Sequence, residues 1–98
     1  MASGGRRVVS GSFVSDGLSR DVTVVGFRPT KVELYNDQGD SAVWTEEMAD
    51  AAMHLRIAGG TGTFETSDGV TPLANGFTIG ANGDINADTQ TTYWTCSD

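Results

Sequence analysis

Turn-forming clusters cut this 98-residue chain into short pieces. Asp16-Gly17, Asn36 to Asp40, Gly59 to Gly62, Asp68-Gly69 and Asn82-Gly83 each combine residues that tolerate a left-handed backbone or bond their own main chain. The runs between them are too short for long helices, and most alternate apolar with polar residues, the period of a half-buried strand. Short alternating runs with turn signals at spacings of roughly 8–12 residues predict an all-β domain, a small antiparallel β-sandwich or jelly-roll-like barrel of about seven to eight short strands.

The individual runs support this. Residues 7–14 place Val9 and Phe13 on one face and Val8 and Val14 on the other, with a possible bulge at Gly11. Residues 21–27 alternate Val22 and Val24 against Thr23 and Val25. Over 31–35, Val32 and Leu34 point inward while Lys31, Glu33 and Tyr35 point outward; 41–45 returns as a hairpin strand with Ala42 and Trp44 on one face. Met53, Leu55 and Ile57 alternate with His54 and Arg56. Residues 63–66 and 70–74 read as strands joined by a turn at Asp68-Gly69, with Pro72 at an edge. Phe77 and Ile79 point inward, Asn82-Gly83 signals a hairpin, and Gln90, Thr92, Trp94 and Cys96 share a face of the last strand. The stretch 46–53 is the one helix-like segment, with Thr45 as a cap, and amounts to at most one short helical turn.

Length bounds the organisation: a flexible N-terminal arm over residues 1–6 and a single domain over 7–98. Thirteen acidic against six basic residues give a net charge of −7, and the acids are dispersed. Nucleic-acid binding needs clustered Lys and Arg, so no nucleic-acid partner is expected. No apolar run approaches the roughly 20 residues of a membrane helix, and the N-terminus lacks the apolar core of a signal peptide, so no membrane association is expected. Arg6 and Arg7 are the adjacent basic pair, in the arm or at its end, and are candidate contacts for an acidic partner.

The residues that carry chemistry are isolated. His54 and Cys96 are the only residues of their kinds, so a disulfide within the chain is impossible and a zinc site lacks ligands. His54 reads as a surface residue and Cys96 as a small apolar one. The loops 36–40 and 82–86 resemble calcium loops superficially, but neither matches the EF-hand pattern, and Asx-rich turns account for both. Gly59 to Gly62 lacks the Lys-Ser/Thr of a phosphate loop. The expectation is a non-enzyme without metal or cofactor. Tyr35, Tyr93 and Trp94 are candidate partner contacts: Tyr35 faces away from Val32 and Leu34, and Tyr93 and Trp94 must face opposite ways.

The ordered series Gly26, Phe27, Pro29, Val32, Trp44, Gly69, Val70, Gly76, Phe77, Thr78, Ile79, Gly80, Asp84, Asn86, Tyr93 and Trp94 resembles small β-sandwich virion proteins of tailed bacteriophages. The resemblance spans about residues 8–95 and consists of turn glycines and core apolars; the ending Thr95 to Asp98 departs from it. It implies a capsid decoration (cement) protein. Such a protein is made in the bacterial cytoplasm, forms a homo-oligomer such as a trimer, and binds the major capsid protein on the virion surface. The alternative it implies is a tail or head-fibre module that contacts the host surface or a glycan. It carries no catalytic residues.

Overall fold

The computed structural model describes residues 7–98, and the arm expected over residues 1–6, with Arg6, lies outside the described residues. The chain is all-β: β1 (Val8–Val14), β2 (Arg20–Val22), β3 (Lys31–Asn36), β4 (Ser41–Thr45), β5 (Ala52–Arg56), β6 (Gly62–Leu73), β7 (Gly76–Ile79) and β8 (Thr91–Ser97). All pair antiparallel in one sheet of order β1-β8-β3-β4-β5-β6-β7-β2. The sheet curls into a half-barrel. Of the two architectures expected, a sandwich or a barrel, the single curled sheet is the barrel-like one, left open between β1 and β2.

The alternation of side chains fills the concave face. Val32 and Leu34 of β3, Ala42 and Trp44 of β4, Met53 and Leu55 of β5, Phe77 and Ile79 of β7, and Trp94 and Cys96 of β8 form one buried cluster. Burying a Val, Leu, Ile, Phe or Met side chain contributes about 1.5–3 kcal/mol. Phe77 and Trp94 meet edge to face, centroids 5.8 Å apart, which couples β7 to β8 across the interior. The Trp44 indole nitrogen donates to the Ala49 carbonyl at 3.1 Å, so its one polar group is satisfied.

Residues 46–51 form turns that lead into β5, within the expected limit of at most one short helical turn, and Ala51 adopts a positive φ of 67°. Three local expectations are corrected. Asp68-Gly69 does not end a strand. Met53 pairs with Glu65 and Ala52 with Val70, so residues 66–69 bulge out of one long β6 that passes from β5 to β7. The bulge anticipated at Gly11 is absent, because the β1–β8 register runs unbroken from Val8↔Ser97 to Val14↔Thr91. Asn82-Gly83 does not make a hairpin, since β7 and β8 are not neighbours in the sheet; it opens a long crossing loop. In addition, β2 stops at Val22, and Val24 turns out to solvent while Val25 turns in.

The crossing loop, residues 80–90, packs against the core. Ile85 is fully buried there. The Asn82 side-chain carbonyl accepts from the Asp84 and Ile85 amides, and the Asn86 side-chain amide donates to the Leu18 and Gly80 carbonyls at 2.9 Å each. Thr92 donates to the Ile85 carbonyl and shares a hydrogen bond with Ser15.

Candidate functional site

The curled sheet does not close on itself. β1 and β2 are its two ends. Each bonds one neighbour, β8 or β7, and the opposite edges border a cleft of about 410 Å³. The cleft is lined by Val9 to Phe13 of β1, by Arg20 to Val22 of β2 with Thr23 and Val24, and by Trp94 at its base. The Trp94 indole packs over Gly11, where any side chain would collide with it. Large apolar residues stand exposed beside the cleft: Val14 at one end, Leu18 in the β1–β2 turn, Val24 beyond β2.

Arg20 stands at the end where β1 turns into β2. Its guanidinium donates to the Val14 carbonyl at 3.2 Å and lies over the Phe13 ring, 4.7 Å from the centroid. Asp21, also in the lining, accepts from the Thr78 hydroxyl at 2.6 Å.

The convex face carries a second feature. Ser12, Tyr93 and Tyr35 are directly paired across β1, β8 and β3, so the two tyrosines stand side by side at about half exposure. The Tyr35 hydroxyl donates to Glu33 at 3.2 Å, and partial burial followed by the Glu33 charge raises its pKa. Tyr35 and Tyr93 thus face solvent. Trp94 does not share that face: with period two, the neighbour of an outward Tyr93 enters the core.

Of the basic pair, Arg7 lies within the described residues, and it is held against the C-terminus. Its backbone amide donates to Asp98 at 2.7 Å, its guanidinium pairs with the same carboxylate at 2.6 Å, and it lies over Phe27, 4.6 Å from the centroid. The backbone hydrogen bond from Arg7, reinforced by its side chain and charge, holds the Asp98 carboxyl below the usual carboxylate range.

The two loops that resemble calcium loops lie against each other. Asn36 donates to Asp40 at 2.9 Å, to the Asp84 carbonyl at 2.8 Å and to Gln90 at 2.9 Å, while its own carbonyl accepts from the Gln38 and Asp40 amides. Asp40 also accepts from the Ala58 amide. These oxygens serve turns, and among the described residues no group of three or more His, Cys, Asp or Glu is placed to hold a metal ion. His54 is exposed on β5, opposite the exposed Phe64 of β6. Cys96 is fully buried, and burial pushes its thiol up to about 12, so it is protonated at neutral pH. No described helix is long and apolar enough to cross a membrane.

Alternation placed Tyr35 outward and required Tyr93 and Trp94 to face opposite ways, leaving open which of the two is exposed. It missed the cleft, because the alternation of β1 and β2 says which faces are apolar and nothing about which edges lack partners. No protein-family model matches the chain, and comparison with the curated proteins and with the solved structures returns no match.

Proposed function

We propose that the protein is an assembly module, a structural virion protein of the capsid-decoration kind that binds the major capsid protein and stabilises the shell. The observation that carries the reading is the unclosed β1–β2 cleft with exposed Val14, Leu18 and Val24 beside it. Unpaired strand edges beside exposed apolar side chains mark a surface that gains by being covered. The ordered resemblance of residues 8–95 to phage virion proteins supplies the setting. A decoration protein needs only to bind the assembled state better than the free subunits, and repetition over a symmetric shell multiplies modest contacts. Cryo-electron microscopy of the virion tests this. Many copies spread over the shell are expected; a few copies at a vertex or on the tail would overturn it.

The Tyr35–Tyr93 pair favours a second reading, a fibre or tail module that contacts a host glycan, because side-by-side exposed aromatic rings suit stacking against sugar rings. Hits on a glycan array that vanish with Tyr35→Ala and Tyr93→Ala would favour it.

A further inference from the structure

We propose that the β1–β2 cleft is a docking slot for the C-terminal end of another protein, an extended segment with apolar alternate residues whose free α-carboxylate meets Arg20. This deepens the assembly reading and rests on it only for the identity of the partner.

The walls define the backbone of the ligand. The edge of β1 away from β8 and the edge of β2 away from β7 are rows of peptide groups without ladder partners, and both line the cleft. A ligand that satisfies both edges at once is itself an extended chain, added as a strand. β2 offers three residues of edge, a span of about 10 Å at roughly 3.3 Å per residue, so the last few residues of the ligand make the contact. The interior of the slot is Val9, Phe13, Val22 and Trp94, which selects apolar side chains at the positions that point inward.

Charge defines its direction. Arg20 is the one cation lining the cleft, and among the described residues no carboxylate lies within ion-pairing distance of it. It stands at the end where β1 turns into β2, bound to the Val14 carbonyl and stacked on Phe13. The only acid in the lining, Asp21, is bonded to Thr78 instead. A chain that enters past Val9 and Val24 with its C-terminus leading runs antiparallel to β2 and parallel to β1. Its carboxylate then arrives at a guanidinium whose planar fork matches it. The reverse orientation brings an ammonium against Arg20, and an internal segment has no terminus to place there.

The test begins with an array of eight-residue peptides that display free C-termini and carry randomised Val, Ile, Leu, Thr, Ser and Tyr. The tightest binder is then measured by fluorescence anisotropy as the free acid, as the C-terminal amide, and with alternate backbone amides N-methylated near its C-terminus. The amide and the N-methylated peptide should each bind about ten-fold more weakly, the loss expected when a charge-assisted hydrogen bond or a ladder bond is removed. Arg20→Gln should weaken the acid about ten-fold and leave the amide unchanged, and Arg20→Lys should keep part of the preference. Circular dichroism checks that both variants fold. The slot is overturned if no peptide binds, if acid and amide bind alike, or if Arg20→Gln affects both equally. Shell decoration that persists beside such a failure leaves the assembly reading standing, so the two failures are separable.

Discussion

Gly11 on β1 lies directly opposite Trp94 on β8, and the indole fills the space that a side chain at Gly11 would need. A glycine in a strand is costly, yet here the neighbouring aromatic covers it and gains a buried seat at the base of the cleft. Gly11→Val should therefore displace the Trp94 ring and loosen its edge-to-face contact with Phe77. Overpacking of this kind costs about 1–3 kcal/mol. Urea unfolding followed by tryptophan fluorescence should show a lower midpoint and a red-shifted native spectrum. An unchanged midpoint would mean that Trp94 has another place to go.

Cys96 couples stability to alkaline pH. Its folded pKa is raised to about 12 by burial, whereas an unfolded thiol ionises near 8.5. The folded state therefore holds the proton that the unfolded state gives up. The associated stability is fully present below about pH 8.5 and falls by roughly 1.4 kcal/mol per pH unit above it, until the folded pKa is reached. Cys96→Ala should remove that slope, so the wild-type-minus-variant difference in unfolding free energy should shrink steadily between about pH 9 and 11. The thiol should also resist alkylation until the protein unfolds.

Much of the interior was legible in the alternation alone. Val32 with Leu34 reads as an inward pair, Ala42 with Trp44, Met53 with Leu55, and Trp94 with Cys96 each read as sharing a face, and all eight are buried. What was not legible depends on pairing between distant segments. Asp68-Gly69 carries a turn signal, yet β5 and β7 bind β6 on both sides of it and turn the signal into a bulge. Asn82-Gly83 has hairpin chemistry, but β8 finds its partners in β1 and β3, so the turn is spent inside a crossing loop. Val24 continues the alternation of Val22 and is nonetheless exposed, because the strand ends once β7 runs out of residues to pair. The cleft is the same kind of feature: two ordinary strand sequences become a site only because each lacks a neighbour.

Asn36 ties the β3–β4 turn to the crossing loop and is buried while doing so. Asn36→Ala would leave the Gln38 and Asp40 amides and the Asp84 carbonyl without their partner. These groups are only partly buried and water can reach some of them, so a total loss of about 1–3 kcal/mol is expected. Asn36→Asp keeps the acceptor and discards the donors, and it adds a charge beside Asp40. It should cost less at low pH, where the carboxyl is protonated, than at neutral pH. Thermal unfolding of both variants at two pH values checks the order.

Thr89 adopts φ of 67° within the loop 80–90. A left-handed backbone is unfavourable for a β-branched residue, at a cost of about 1–3 kcal/mol for such strained positions. The surroundings hold it there: its amide donates to the Ser15 carbonyl at 2.8 Å, and the Ser15 amide donates to the Gln90 carbonyl at 2.7 Å. The side chain itself is exposed and bonds only the neighbouring Asp88 carbonyl. Replacing it relieves strain without emptying the core. Thr89→Gly removes the steric cost and returns part of the gain, roughly 0.5–1 kcal/mol, as extra freedom of the unfolded chain. Thr89→Asn tolerates the same backbone and keeps the unfolded chain stiffer. Both should raise the unfolding midpoint, with Asn at least equal to Gly. A lower midpoint for both would show that the hydroxyl's bond to the Asp88 carbonyl outweighs the strain of the backbone it sits on.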